Sequence, residues 1–120
     1  MRTLIALVAI AFLSSIPASA HHGWGGYLDA EFQITGTVDT PVSTAGPHAA
    51  MKIKVDGQVW NVVLAPPART VAAGLKEGVI PAGAQVTAYG HRHRDPKTLE
   101  IKTERLNWNG RMFNVYPDRT

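Results

Sequence analysis

The chain has 120 residues, a formal net charge of +3, 45% hydrophobic residues and no cysteine. The lack of cysteine excludes disulfides, thiolate metal ligands, cysteine nucleophiles and a lipoprotein anchor, so any chemistry must use histidine, carboxylates or the backbone. The net charge is small, and basic and acidic residues such as Lys102 and Glu104 are interleaved, which we interpret as solvated strand faces. A nucleic-acid-binding protein usually carries a basic stripe, so nucleic acid is not an expected partner.

The first 20 residues have the pattern of a secretory signal peptide. Arg2 supplies a cation, residues 4–13 form an apolar run, and Ala18-Ser19-Ala20 provides small residues before a cleavage site. The apolar run is too short to span a bilayer as a helix of the mature protein. Removing 20 of the 120 residues leaves 100, with a net charge of +2 because Arg2 is lost. The pattern therefore predicts a periplasmic or secreted protein without a membrane span.

Cleavage after Ala20 would place His21 and His22 at the mature N-terminus, at the start of a glycine-rich arm over residues 21–30 that contains Trp24 and Tyr27. A terminal histidine can offer its α-amine and its Nδ1 to one metal ion, and the neighbouring histidine adds a second imidazole. Nitrogen donors of this kind favour Cu(II) or Ni(II) in tetragonal geometry. The alternative interpretation is a frayed and solvated terminus.

Runs of alternating apolar and polar residues predict six β-strands. Two pairs of strands meet at Asp56-Gly57 and Asn109-Gly110, dipeptides that are typical of type I′ hairpin turns. The first turn places Val55 opposite Gln58, which brings the apolar residues of both strands to one face. The predicted strands cover residues 31–39, 51–55, 58–64, 85–91, 98–108 and 111–115.

One short helix is predicted between the third and fourth strands. Pro66-Pro67 ends the third strand, because proline cannot donate to a sheet ladder. Apolar residues then follow at helical spacing over residues 68–77, and Gly78 is expected to end the helix. The apolar positions of this helix are Ala68, Val71, Ala72 and Leu75. Residues 40–47 and 92–97 are predicted loops, and residues 116–120 a loop-like tail.

Three strands, a short helix and two further strands with a final hairpin form the element order of an OB-fold, a five-stranded Greek-key barrel. A meander or a small sandwich would give a similar number of strands without requiring the helix. The sequence therefore predicts an all-β, OB-fold-like barrel over residues 31–120, with one short helix between strands 3 and 4.

All five histidines fall in the arm or beside two loops that bind ligands in many OB-folds. The loop after the first strand delivers His48, and the loop after the fourth strand is flanked by His91 and His93. Since His91 and His93 are two residues apart on an extended segment, they should point to the same side. His48 is either a metal ligand or a cap for the loop backbone, and His91 and His93 are either ligands or part of a solvated basic loop.

The chain resembles a family of small exported bacterial proteins that is catalogued as a domain of unknown function. Mature members begin with His-His and a nearby aromatic residue, carry Asn-Pro-His after the first strand and have a Trp in the third strand. Gly46 stands where the family usually has Asn, which removes a side-chain hydrogen bond that could orient the loop. The matching segments are His21-His22-Gly23-Trp24, Gly46-Pro47-His48, Trp60, and residues 64–69, 86–90 and 116–119. The resemblance implies this fold and export, and it implies no activity.

The function predicted from these residues is Cu(II) binding in the periplasm, for copper buffering, delivery or resistance. His21 would supply its amine and imidazole, and His22 or His48 would complete the ligand set. The alternative is a non-catalytic module that binds an envelope protein or a small ligand. Enzyme activity is not expected, because the one serine after residue 20, Ser43, lacks a nearby Asp-His pattern. A copper oxygenase with a terminal histidine would resemble a larger sandwich.

Overall fold

Six β-strands, one α-helix and one 3₁₀-helix are found in residues 23–119, the part of the chain that the computed structural model describes. The predicted signal peptide and the candidate ligands His21 and His22 lie outside the described residues. The elements in chain order are β1 (Phe32–Ser43), β2 (Ala50–Val55), β3 (Gln58–Val63), α1 (Pro67–Ala72), β4 (Gln85–Arg92), β5 (Glu100–Trp108), β6 (Arg111–Asn114) and the 3₁₀-helix Pro117–Arg119.

Strand pairing closes the sheet into a five-stranded barrel. β1 pairs antiparallel with β2 and β4, β2 pairs with β3, and β4 pairs with β5. A parallel pairing of β3 with β5, in which Asn61 lies opposite Glu100 and Val62 opposite Ile101, closes the barrel. β6 pairs antiparallel with β5 as the second strand of a hairpin and is not one of the five strands that close the barrel. The predicted OB-fold-like barrel, with its short helix between β3 and β4, is confirmed.

Both predicted hairpin turns have the backbone of a type I′ turn. The central residues have positive φ angles, 50° and 78° at Asp56-Gly57 and 55° and 78° at Asn109-Gly110. This conformation matches the twist of the flanking strands, which is why Asn or Asp followed by Gly is favoured there. The predicted register, with Val55 opposite Gln58, is also observed.

The barrel interior is filled by apolar side chains from every strand. Trp60 of β3 stacks on Phe32 of β1 with ring centroids 5.8 Å apart. Burying a side chain of this size stabilises the fold by about 1.5–3 kcal/mol, so this cluster is the main source of stability in a domain without disulfides. The buried apolar residues of the strands are Ile34, Val38, Val42, Met51, Ile53, Trp60, Val62, Val86, Ala88, Ile101, Leu106 and Phe113.

β1 continues four residues beyond its predicted end at Asp39 and includes part of the predicted 40–47 loop. The pairing of β1 with β2 shifts register between Val38 and Thr40 and again between Thr40 and Ser43. These irregularities accommodate Pro41, because a residue at a bulge need not donate to the ladder. The proline therefore bends the strand without ending it. Smaller differences are the start of β5 at Glu100 and the 3₁₀-helix in the tail, which was predicted as loop.

The helix α1 ends at Ala72, five residues before the predicted end. Gly74, with φ 93°, takes the left-handed conformation that ends many helices, and the Leu75 N–H donates to the Thr70 carbonyl at 3.1 Å. Of the predicted apolar face, Leu75 is buried but lies beyond the end of the helix, and Val71 is 38% exposed. The buried residue within the helix is Thr70, which was not predicted. The Thr70 hydroxyl donates to the Ala65 carbonyl at 2.8 Å, so its burial leaves no unpaired hydroxyl.

A bulge between β4 and β5 brings their backbones into close contact. Tyr89 pairs with Arg105 and the next residue, Gly90, pairs with Thr103, so Glu104 is the additional residue on β5. A Cβ atom at Gly90 would lie 2.0 Å from the Lys102 carbonyl oxygen. Glycine is therefore required at this position, where the backbone of β4 approaches the Lys102 carbonyl of β5.

Replacing Gly90 with Ala is expected to destabilise the fold by about 3 kcal/mol, because the backbone of β5 must move to admit the methyl group. Gly26→Ala is the matched control, since a Cβ there would meet no atom within 4 Å. Urea denaturation of both variants measures the difference in unfolding free energy. Equal stability of the two variants would contradict the close approach at the bulge.

Candidate functional site

The N-terminal arm, residues 23–30, lies against β4 and β5. Tyr27 forms an isolated β-bridge with His93, and the Leu28 N–H donates to the Arg92 carbonyl at 2.8 Å. The Tyr27 hydroxyl donates to the Glu100 carboxylate at 2.5 Å. Burial and the adjacent Glu100 carboxylate raise the pKa of Tyr27 well above its usual value. Backbone and side-chain contacts together hold the arm in place.

Lys102 of β5 is covered by this arm and is only 4% exposed. Its Nζ donates to the Gly23 carbonyl and lies 4.7 Å from the centre of the Trp24 ring. Burial lowers the pKa of Lys102, the neighbouring Arg119 lowers it further, and Glu100 partly offsets both effects. The interpretation of Lys102 as part of a solvated strand face was therefore wrong.

Glu104 is also 4% exposed and is surrounded by cationic or donor groups. Its Oε1 lies 2.6 Å from the His91 Nε2 and 3.5 Å from the Arg119 Nε. The other ring nitrogen of His91, Nδ1, lies 2.8 Å from the Leu28 carbonyl oxygen. Since each ring nitrogen faces an oxygen acceptor, His91 joins the arm to β5 and has no nitrogen left for a metal ion. The solvated-face interpretation was wrong for Glu104 as well.

Trp24 connects these charged groups. Its ring makes edge contacts with His91, at a centroid distance of 5.5 Å, and with Tyr116, at 5.2 Å. The Arg119 guanidinium lies 3.9 Å from the ring centre, so Trp24 contacts two cations. A cation over an indole ring is attracted by the negative charge density of the ring face. Trp24 thus fixes the arm beside Lys102.

A cleft of about 410 Å³ opens between the arm, the β1–β2 loop and α1. His48 lies in this cleft and is half-buried. Burial lowers the pKa of His48, and the positive charge of Lys102 lowers it further. The imidazole is therefore neutral at neutral pH and can act as a metal ligand or a base. The residues that line the cleft are Gly23, Trp24, His48, Pro66, Arg69, Lys102 and Tyr116.

Hydrogen bonds on both sides of His48 fix its loop. The buried Ala49 donates its N–H to the Ala65 carbonyl at 2.9 Å. Earlier in the loop, the N–H and hydroxyl of Thr44 both donate to Glu77 Oε1 at 2.9 Å. These bonds lower the pKa of Glu77. The loop is thus anchored although glycine replaces the asparagine that is usual in the resembling family.

His93 does not line the cleft. Its Nδ1 accepts a hydrogen bond from the Asp95 N–H at 3.1 Å, and its ring contacts the edge of Tyr27 at 5.5 Å. His91 and His93 both contact the arm, a contact that was not predicted, and they stabilise the arm and the β4–β5 turn.

The candidate metal ligands are only partly described. Within residues 23–119, no group of three or more His, Asp and Glu side chains is arranged to hold a metal ion. His48 lies in the cleft, whereas His21 and His22 are outside the described residues. Gly23, which is covalently bonded to His22, lines the same cleft as His48.

Sequence reasoning missed Arg69, Lys102 and Tyr116 as residues of the cleft. Lys102 alternates with apolar residues as an ordinary surface lysine does, and Arg69 lies in the first turns of a short helix. One available signal was the glycine-rich arm with Trp24 and Tyr27, because two large aromatic side chains near a terminus need a surface to cover. A second signal was that Arg69 and Tyr116 lie in segments that match the resembling family.

The profile of a family of unknown function, DUF6152, matches residues 9–102, more than half of the chain. The chain belongs to DUF6152. The resemblance to a family of unknown function is thereby confirmed. A search of the curated proteins found no match.

Solved structures support the fold. Apo TiaS, a tRNAIle2 agmatidine synthetase, is similar to this DUF6152 chain with a TM-score of 0.51 and 16% identity over 65% of the chain. The ZRD-deleted mutant of TiaS in complex with agmatine gives a TM-score of 0.53 and 14% identity over 71% of the chain. The chain spans only 18% and 26% of those two chains. At this identity the likeness shows a shared fold alone.

Across residues 23–119, none of the helices has the length and apolar character needed to cross a membrane.

Replacing Lys102 with Met is expected to raise the pKa of His48 towards the ordinary histidine value of about 6.5, because the charge that opposes imidazole protonation is removed. Lys52→Met is the control, since Lys52 is an exposed lysine of β2 that does not line the cleft. NMR titrations of the His48 ring protons measure the pKa of His48 in each of the two variants. An unchanged His48 pKa in the Lys102 variant would contradict the electrostatic coupling.

Proposed function

We propose that the mature protein binds Cu(II) through its N-terminal histidine, with His48 as a ligand from the barrel. The observation that carries this proposal is the shared cleft, because Gly23 and His48 line the same cavity. The proposed setting is the periplasm, after cleavage behind Ala20, and the proposed role is copper buffering, delivery or resistance.

The chain connectivity supports this ligand set. The Lys102 ammonium holds the Gly23 carbonyl, so Gly23 is a fixed point at the cleft wall. One residue spans at most about 3.6 Å, so a terminal amine on His21 is only two residues away from that point. The His21 amine and imidazole and one further imidazole, from His48 or His22, would give a nitrogen-rich set that suits Cu(II).

The positive charges beside the cleft have two opposite effects on a bound metal ion. Lys102 and Arg69 repel a divalent cation, which weakens binding. The charge of Lys102 also disfavours protonation of His48, which keeps the imidazole available as a ligand. Among the divalent first-row metals, Cu²⁺ binds nitrogen ligands most strongly and is therefore the ion best able to overcome the repulsion.

A protein that begins at His21 is expected to bind one Cu(II) with a tetragonal, nitrogen-rich spectrum. The same protein extended by four residues, Gly-Ser-Gly-Ser, has no histidine in its first three positions and should bind more than about tenfold more weakly, because the chelate of amine and imidazole is lost. Calorimetry gives the affinities and electron paramagnetic resonance gives the ligand type. Weak and equal binding by both forms would overturn the copper proposal and leave the non-catalytic envelope module as the better hypothesis.

His48→Ala tests the ligand from the barrel. Loss of an outer-shell partner already weakens metal binding about 10–100-fold, so loss of a direct ligand should cost at least about tenfold. His93→Gln is the control, because His93 lies outside the cleft and its Nδ1 is already hydrogen-bonded. If the His48 variant binds Cu(II) as tightly as the unchanged protein, the site is confined to His21 and His22.

Copper affinity is also expected to fall as the pH falls from about 8 to about 6, because protons compete for an amine with a pKa of about 7.7–8.0 and for imidazoles near 6.5. Competition titrations with a chelator of known affinity at several pH values measure this dependence. A flat profile across that range would show that the ligands are not the amine and imidazoles.

A further inference from the structure

The described residues that line the cleft include two cations and no carboxylate. Two carboxylates of β5 have other partners, since Glu104 contacts His91 and Arg119, and Glu100 accepts hydrogen bonds from Tyr27 and Asn61. Asp118 lines a neighbouring cavity that also includes Arg69, and it does not line this cleft. Among the described residues, the positive charge of the cleft therefore has no carboxylate facing it from the cleft lining, and Glu100 offsets the charge of Lys102 only in part.

Arg69 has its guanidinium group available. The side chain forms no ion pair or hydrogen bond with another residue of the described range 23–119, and its nearest characterised contact is the Tyr116 ring, 5.4 Å from Cζ. A guanidinium carries five N–H donors in a planar fork, which fits the paired oxygens of a carboxylate or a phosphate.

Lys102 provides the second positive charge. Its ammonium has three donors, and one of them is used by the Gly23 carbonyl. Lys102 is 4% exposed, so its charge is poorly screened by solvent, and the charge of Arg119 repels it. A negative charge in the cleft would relieve both the poor solvation and the repulsion.

The size of the cleft indicates what kind of anion fits. Its volume of about 410 Å³ lies in the range of small-molecule pockets, about 300–1,000 Å³, and is larger than a single inorganic ion needs. Tyr116 and Pro66 give apolar surface on the wall. The ligand that matches is an organic anion of small-molecule size, in which a carboxylate or phosphate group is attached to a larger organic part.

We infer that this cleft binds a small organic anion, whose carboxylate or phosphate group is held between Arg69 and Lys102. This inference goes beyond copper binding and does not depend on it, because none of the residues that hold the anion is a proposed metal ligand. The same oxyanion chemistry occurs in soluble metabolites and in anionic lipid headgroups.

The test uses the metal-free mature protein, treated with a chelator and then desalted, since a residual chelator is itself an anion. Calorimetric titration with citrate and with inorganic phosphate at low ionic strength is expected to give saturable binding, with citrate the tighter ligand. Sedimentation with phosphatidylglycerol vesicles, against phosphatidylcholine vesicles, tests the lipid source. Binding to citrate or phosphate identifies a soluble anion, and binding to the anionic vesicles alone identifies a headgroup.

Arg69→Gln should weaken the observed binding by at least about fivefold, because a charged donor pair to the oxyanion is lost. Lys97→Gln is the matched control, because it removes the same charge from an exposed loop outside the cleft. Lys102→Gln provides a second variant, and two-dimensional NMR spectra verify that each variant is folded. In the same spectra, bound citrate should shift the Trp24 indole and Arg69 Nε–H signals.

The inference is overturned if neither the two soluble anions nor the anionic vesicles bind, or if Arg69→Gln binds them as the Lys97 control does. Since no metal is present in these experiments, a negative result leaves the copper proposal unaffected. Failure of the copper titrations would equally leave the anion site standing.

Discussion

The burial of Lys102 beneath the N-terminal arm is the interaction on which the site depends. A lysine is rarely buried this fully unless its charge is paired, and here the partners are a backbone carbonyl and two aromatic rings of the arm. The ammonium fixes Gly23, gives Trp24 a surface to cover, and sets the electrostatic environment of His48. Without this contact the arm would no longer be held as one wall of the cleft.

The charged residues of β5 define the position of the arm more than they add stability. A buried ion loses its hydration, and replacing buried ion pairs with apolar residues is often neutral or stabilising in other proteins. An apolar β5 surface would let an arm of Gly, Trp and Tyr bind in several registers. Lys102 binds the Gly23 carbonyl of the arm, and Glu104 holds His91, whose other ring nitrogen faces the Leu28 carbonyl of the arm. These two contacts favour one register of the arm and thereby one shape for the cleft.

Local signals in the sequence predicted most of the barrel. Asp56-Gly57 and Asn109-Gly110 fixed two hairpins because the turn conformation depends on those residues alone. The end of α1 was missed because Gly74 and Gly78 both suit a helix terminus, and tertiary packing selected the first. The burial of Lys102 and the place of Arg69 in the cleft depend on segments far apart in the chain, so no local pattern reveals them. The placement of His48 beside Gly23 is likewise a product of the whole fold.

The parallel pairing of β3 with β5 also bears on how the protein folds. It joins Asn61 to Glu100, and the arm contact joins Gly23 to Lys102, 79 residues away. Contacts of such long range require large loops to close before they contribute, which slows folding in β-barrels. The wall that the arm and Lys102 form depends on these long-range contacts. An unfinished or locally opened chain therefore has no cleft, and any ligand of the cleft binds the completed barrel and stabilises it by mass action.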